Sequence, residues 1–534
     1  MNRERLPLLF RNVNSDLSLL FATLCVIDIF GVFPIIALPR TIVQCGLYGI
    51  PLVIIVLMLQ IYTAVLLGKS WTIATSLDPQ ISRKNRHPLA AVTELTLGPR
   101  ARTLVTILLD FTVFGCSIPN LLVASQNLQL FGLKVSGQRF DLSFCYWLLL
   151  VGLLLCPIMW LGSPRDMKLL VTISCVMVIL TAVLIWWCII ADDRDLDVSP
   201  VPTSPSWDKF ISGYGMLAFQ FDVHPTLMTV QVDMRRPQHI DKAVTISFLV
   251  SGSLFAITAG LAVWRYGGST TANVLQVVPG NFIMSAAILL AALQLCLSSA
   301  IGHSALFQDL EDQWNIQRSF GWKRCAIRSA VVLLGVAVGE SVPRFDIVMA
   351  LIGGSLTGPL VFVLPPLMYS KAVALKARSM RTLTPEVYSC SEKRQSLGGG
   401  VPKTECHRYS YVYYDDTDDE LDDVMGYEND ILNTEETNEE YAMTRRNYDG
   451  EPVFVDASRP FRTCRRITVS EEPVPKSFIN CAFQRWNNWF GYLIVLFGIA
   501  VTVSSTYINI KNTIRYVQFT PPCIVNATVV QNPT

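Results

Sequence analysis

Long apolar runs separated by short polar stretches dominate the pattern of this chain. A helix that crosses the hydrocarbon core of a bilayer needs about 20 such residues. Eleven stretches qualify: 18–40, 47–68, 104–130, 144–161, 168–191, 210–232, 242–264, 281–306, 325–342, 346–370 and 488–510. The pattern predicts an all-α, polytopic membrane protein. The first ten runs divide into two sets of five, 18–191 and 210–370, which start from opposite faces because five is odd. Halves related in this way form an inverted repeat, the plan of many secondary transporters. The eleventh run, within 487–511, stands outside it.

Two runs are interrupted. CVIDIFGVFPIIALPR (Cys25–Arg40) contains Gly31, Pro34, Pro39 and the carboxylate of Asp28, and GYGMLAFQFDVHP (Gly213–Pro225) opens the second set. Proline lacks the amide donor and crowds the preceding turn, so Pro34 is expected to break the first helix. Lipid offers backbone groups no partners, and irregular backbone at that depth must lie inside protein or line a cavity. Interrupted helices at matching places in two halves point to a binding site for a small polar solute between them.

Hydrophobic residues make up 51% of the chain and charged residues 16%, against about 25% charged in soluble domains. The formal net charge of +1 hides a segregation. Arg3, Arg5 and Arg11 precede the first run, Lys69, Arg83, Lys84, Arg86 and Arg100 follow the second, and Arg235, Arg236 and Lys242 follow the sixth. Basic loops stay in the cytosol. Residues 1–17 and 371–486 are therefore expected to be cytosolic, and the acidic loop 192–209 and the tail 512–534 luminal or extracellular. Asn526 opens an Asn-Ala-Thr glycosylation sequon in that tail. Met1–Ser15 is polar and no cleavage site follows the first run, so no secretory signal is expected.

Most of the 14 cysteines fall in apolar runs or in 371–486, a usage that fits membrane packing and a reduced loop better than a disulfide framework. A bridge from Cys523 to Cys145 or Cys45 stays open. The acidic, Tyr-rich stretch 371–486 is expected to be disordered, as a solvated linker or as a dock for a cytosolic adaptor or kinase. Glu4, Leu8 and Leu9 fit the pattern E-x-x-x-L-L, which resembles an endosome–lysosome sorting signal. That favours an endolysosomal or vesicular membrane over the plasma membrane.

Ionisable side chains inside a bilayer are costly, which makes each a candidate for function. Asp28, close to the first break, either carries the coupling proton or cation or bonds freed backbone amides. Asp222 and His224 flank the second break, as a proton relay or as a structural pair beside Pro225. Asp110 and Asn120 share a face of the third run, and Asn120 both donates and accepts, which suits a zwitterion's head group. Ser298 and Ser299 either complete a Na⁺ shell with carbonyls of the first helix or let helices pack closely. H⁺ is preferred to Na⁺ because three carboxylates and a histidine lie near the breaks and the third run. Glu340 is expected at the outer end of the ninth run, in reach of water. Gly353–Pro359 reads as a close-packing seam and hinge. No zinc spacing, nucleophile elbow or nucleotide fingerprint appears. Neither an enzyme, a metal site, a cofactor nor a nucleic-acid partner is expected.

Several segments carry a resemblance. ALPRTIVQCGLYG (Ala37–Gly49) with YTAVLLGK (Tyr62–Lys69), FGCSIPNLLVASQNL (Phe114–Leu128), MLAFQFDVHPTL (Met216–Leu227) and VPRFDIVMALIGGSLTGPLVFVLPPL (Val342–Leu367) resemble, in the correct order, the amino acid/auxin permease family. The last is most similar to the branch that holds the vesicular inhibitory amino acid transporter. The resemblance implies a leucine-transporter-like 5+5 repeat with one extra helix, amino acid substrates, and drive by H⁺ or Na⁺ through alternating access. It places substrate contacts at Phe30, Gly31, Val32 and Phe33 and at Phe219, Gln220 and Phe221. Val32 and Pro34 stand where relatives commonly have glycines, and Arg40 and Asn120 where they often carry Tyr. The rival reading is a receptor that binds an amino acid and signals through 371–486.

Overall fold

The structure, a computed structural model, describes residues 17–79, 81, 87–136, 142–160, 168–195, 198–314, 316, 321–342, 344–383, 444–446, 452–454 and 478–516. Ser18 starts the first helix: its hydroxyl accepts from the Phe21 amide at 3.2 Å, capping α1 (Leu19–Phe30). The helix parts at Gly31 and Val32, before Pro34 is reached. Gly31 has φ 59°, a backbone setting that only glycine adopts without strain. Pro34 and Pro39 lie in the first turns of α2 (Phe33–Ile36) and α3 (Leu38–Cys45), where a helix does not use the donor that proline lacks. Pro34 therefore begins a helix, contrary to the expectation that it breaks one.

The first half continues through α4 (Gly49–Leu77), α5 (Pro88–Leu97), α6 (Pro99–Val135), α7 (Phe144–Met159) and α8 (Lys168–Ile190). The second opens on α9 (Trp207–Gln220), interrupted at Phe221–Val223 and resumed as α10 (His224–Val232), with Pro225 in its first turn. Then come α11 (Ile240–Tyr266), α12 (Val274–Val277), α13 (Phe282–Gly302), α14 (Ser304–Gln313), α15 (Trp322–Ser341) and α16 (Phe345–Ile352). The chain widens into π-helical turns over Gly353–Thr357 and Pro359–Val363 and tightens again as α17 (Leu364–Leu383). The last helix is α18 (Phe478–Tyr516). Among the described residues, eight helical stretches are long and apolar enough to cross a membrane.

Helices α6, α17 and α18 outrun the apolar stretches that predicted them. Apolar length measures hydrocarbon thickness, whereas backbone hydrogen bonding propagates into charged sequence beyond it. The expected linker 371–486 is therefore helical at both ends, and the expected loop 192–209 already turns into helix at Trp207. Residues 388–478 form a separate unit. Its described part holds β1 (Thr444–Arg446) antiparallel to β2 (Pro452–Phe454), with Arg445 opposite Val453, a short ladder inside a stretch expected to be disordered. The remainder of that stretch lies outside the described residues, as do Glu4, Leu8, Leu9, Cys523 and Asn526. Of the two cysteines proposed for Cys523, Cys45 is a free thiol and Cys145 is disulfide-bonded.

Polarity in the helical unit runs inward. Gln60, Thr63, Ser70, Gln231 and Gln294 are fully buried, while Phe282, Leu20, Trp264 and Leu496 stand out from the surface. Apolar side chains cost nothing against lipid, and buried amides and hydroxyls find partners only inside the protein. Glu340 obeys the same rule. Contrary to the expectation that it reaches water, it is 7% exposed, with the Cys145 sulfur 3.4 Å from its Oε1, because α7 packs against its own helix, α15.

The Gly353–Pro359 run does form a seam. A side chain on Gly353 would run into the Gly215 carbonyl of α9, and one on Gly354 into Ser505 of α18. Widened π turns shift the bonding of the carbonyls before them. Asn509 Nδ2 donates to one of these, Ala350 O, at 2.8 Å.

Candidate functional site

The two interruptions face each other, and glutamine amides hold them. At the first, the Val32 amide donates to Gln294 Oε1 at 3.1 Å. The other end of that side chain, Nε2, reaches Ser174 Oγ at 3.2 Å and Asp28 Oδ1 at 3.5 Å. Asp28 is completely buried, accepts a short hydrogen bond from Ser174 Oγ, and leaves Oδ2 without a partner. At the second, Gln220 Nε2 donates across to Phe30 O, the last carbonyl of α1, at 2.9 Å. Gln60 Nε2 of α4 donates to Ala218 O, near the end of α9, at 2.8 Å. Freed backbone groups that a continuous helix would satisfy internally are thus met by side chains, as burial requires.

Asp222 and His224 form one array. Asp222 Oδ1 accepts from the His224 backbone amide at 3.1 Å and lies 3.3 Å from its Nδ1. His224 Nε2 is 3.0 Å from Thr63 Oγ1 of α4. Asp222 Oδ2 has no hydrogen-bond partner.

Between the breaks lies a cavity enclosing about 550 Å³ between protein atoms, its mouth included, lined by Phe30, Gly31, Phe33, Asn120, Phe219, Gln220, Asp222 and Ser298, among others. A second lobe of about 400 Å³ shares Asn120, Asp222 and Cys116 with it and extends to Ser299, Pro225 and His303. Apolar walls with a few convergent polar groups are what small-molecule sites present.

Most of the expected site residues gather here, but not all in the expected role. Val32 and Phe221 are absent from the cavity wall. Val32 offers its backbone to Gln294, and Phe221 packs behind the break, edge-on to Phe30 at 5.5 Å and beside Phe255 at 6.0 Å. Asp28 also sits behind the first break. Asp110 is elsewhere: its carboxyl pairs with that of Asp309 on α14, beside His87, because the ten residues separating it from Asn120 span nearly three turns of α6 and leave the two at different depths. Ser298 and Ser299 point to different lobes, and the Ser299 hydroxyl is already committed to Leu295 O at 2.7 Å. Gln294, Gln60, Ser174 and Thr63 were missed. Their signal was a polar side chain inside an apolar run, which counts for amides and hydroxyls as well as for charges.

Two polar clusters hold further segments of the helical unit together. Lys134 Nζ donates to Leu275 O at 3.0 Å and Val278 O at 2.8 Å, and Arg194 Nη2 to Val277 O at 2.8 Å, pinning α12. Arg194 also pairs with Asp192 at 2.8 Å, and its guanidinium holds the Asp192 carboxyl down at about 2. Around α14, His87 bridges Asp309 at 3.2 Å and Asp312 at 3.3 Å, while Glu311 binds Arg328 at 2.7 Å and Arg324 at 3.0 Å.

A helical unit apolar on the outside, with two broken helices around a lined cavity, defines a multi-pass membrane protein with an internal cavity. The chain belongs to the transmembrane amino acid transporter protein family, whose profile matches residues 19–391. It is similar to amino acid transporter AVT1C of Arabidopsis thaliana, 22% identical over 352 residues, 64% of this chain and 61% of the relative. To AVT1B of the same plant it is 24% identical over 280 residues, 50% of each. A third relative, vacuolar amino acid transporter 3 of Schizosaccharomyces pombe, is 26% identical over 172 residues, 30% of this chain and 25% of the relative. The chain thus spans 50% and 61% of the two Arabidopsis relatives' own lengths. By these names the relatives are transporters rather than enzymes.

Proposed function

We propose that this protein is a secondary active amino acid transporter that works by alternating access around the cavity between its first and sixth crossing segments. The observation that carries the reading is the pair of breaks, Gly31–Val32 and Phe221–Val223, cross-linked by Gln220 and opening on one lined space. Eleven crossing segments, ten of them in two inverted sets of five, would give each break a counterpart in the other half. The order of the helices and the alternation of basic loops support that plan, with the N-terminus in the cytosol. The family and the names of the relatives support amino acids as cargo. An endomembrane location is supported by Glu4, Leu8 and Leu9 and by the vacuolar relative.

Coupling to H⁺ rather than Na⁺ is the second part of the proposal, with Asp28 as the carrier. Among the described residues no cation pairs with this fully buried carboxylate, and one of its oxygens is unbonded. A charged carboxylate is costly there, and taking up a proton relieves that cost. Through Gln294 the state of Asp28 reaches the Val32 amide and so the break itself. Uptake of labelled amino acids by proteoliposomes with imposed pH or Na⁺ gradients tests both parts. Accumulation driven by a pH gradient without Na⁺ is expected, with loss of the pH drive in Asp28→Asn. Uptake that requires Na⁺ and ignores pH removes the proton mechanism, and no uptake of any amino acid removes the transport reading.

A further inference from the structure

The two lobes of the cavity differ in what their walls offer a ligand. Cys116, Asn120 and Asp222 border both, so they do not tell the lobes apart. Gly31 and Gln220, one from each break, belong to the first lobe alone. Val113, Ser117, Pro225, Thr226, Ser299 and His303 belong to the second alone. Four of these six are polar, and each has already spent a proton on a helix carbonyl.

Ser117 Oγ donates to Phe114 O at 2.6 Å, Thr226 Oγ1 to Val223 O at 3.3 Å and Ser299 Oγ to Leu295 O at 2.7 Å. Hydroxyls in helices bond backwards in this way, and what each keeps is a lone pair. His303 Nδ1 lies 2.5 Å from Ser299 O. A carbonyl only accepts, so Nδ1 is the nitrogen that carries the hydrogen. The ring is 4% exposed, stacks on Phe307, and has no carboxylate within ion-pairing distance among the described residues. A second proton on it would be an unpaired charge out of water, which is expensive. Nε2 therefore bears a lone pair, and among the described residues nothing bonds it. Val113 is apolar and Pro225 lacks an amide hydrogen. The side chains peculiar to the second lobe are thus uncharged and can only accept. Whatever occupies that lobe has to supply the hydrogens. A carboxamide or a hydroxyl does so without adding a charge, an aliphatic group leaves Nε2 unmet, and a carboxylate sets lone pairs against lone pairs.

We propose, on the footing that the protein transports amino acids, that the second lobe receives the substrate's side chain and selects side chains that end in a neutral hydrogen-bond donor, a carboxamide or a hydroxyl. The head group stays in the first lobe, at the breaks, and His303 Nε2 and Thr226 Oγ1 accept from the side chain. His303 is the stronger determinant, because its Nε2 has no other bond to fall back on, whereas the Thr226 oxygen is already engaged.

Substrates matched in shape decide the matter. The full chain in proteoliposomes is offered labelled asparagine, leucine and aspartate, and threonine against valine, in which a methyl replaces the hydroxyl. Asparagine is expected to be taken up in preference to leucine and aspartate, and threonine in preference to valine. One hydrogen bond to a neutral partner is worth up to about tenfold in affinity, so His303→Leu should lower the asparagine-to-leucine ratio by about that factor. Thr226→Val should lower the threonine-to-valine ratio, by less. Leucine or aspartate handled as well as asparagine by the wild type overturns the proposal, as does a His303→Leu protein that elutes as folded and keeps the wild-type ratio. If His303→Leu does not fold, the wild-type panel and Thr226→Val carry the decision. Thermal stabilisation of the detergent-solubilised protein by the same five compounds separates this inference from the transport reading. Where none is taken up, stabilisation in the order expected supports the subsite and defeats transport, whereas equal or absent stabilisation overturns the subsite.

Discussion

At the scale of single residues, the site depends on side chains that meet backbone groups freed by the breaks. Gln294 is the clearest case: one amide answers the Val32 N–H, Ser174 and Asp28 together. An unmet buried donor costs about 1–3 kcal/mol. Gln294→Ala is expected to lower stability by roughly that amount, read as a fall in thermal midpoint, and to reduce uptake further because the break loses its support. Gln294→Glu should keep the bond to Val32 but set a second carboxylate against Asp28, so recovery of pH-driven uptake in that variant would contradict the role given to Asp28. Gln294 and Val32 lie 262 positions apart. No local pattern announces such a pairing, although a lone glutamine in an apolar run marks a residue that needs a partner.

At the scale of the element, the interruptions are legible because glycine and proline act through local geometry. Their exact form is not. The spacing points to Pro34 as the breaker, yet the tight positive-φ turn falls at Gly31, and the proline sits in the first turn of the next helix, α2. The tenth segment shows a second side of the same chemistry. Its small residues let α9 and α18 approach the π turns closely, with Gly353 against Gly215 and Gly358 against Thr502. Gly353→Ala should force α9 and the π segment apart. The expected outcome is uptake reduced at least as strongly as stability, measured as initial rate and thermal midpoint on the same preparation, whereas Gly302→Ala, at a position with open space around it, should leave the midpoint unchanged.

At the scale of the whole molecule, the clasp around α12 ties together segments far apart in the sequence. Asp192 is held down at about 2 by Arg194, below the ordinary carboxylate value near 3.9. A group depressed in the folded state adds stability above its unfolded value and loses it as pH falls toward the folded one. The wild type should therefore be more stable than Asp192→Asn by a constant margin between pH 5 and 8, shrinking below about pH 4. Thermal midpoints across that range check the sign, and a margin that grows on acidification would show that Asp192 does not act through its charge.

The sequence by itself determined the membrane class, the apolar cores of the long helices though not their ends, the two interrupted segments and the family, because each comes from local composition: apolar length, glycine and proline geometry, and short motifs. Tertiary structure alone decided which polar groups meet. It set Asp28 behind the first break with Ser174 and Gln294, moved Asp110 away to Asp309, and left Asp222 bonded on one oxygen and free on the other at the cavity wall. Periodicity names the face of a helix a side chain occupies, but its partner comes from another helix, and only the packed arrangement brings the two within hydrogen-bonding distance.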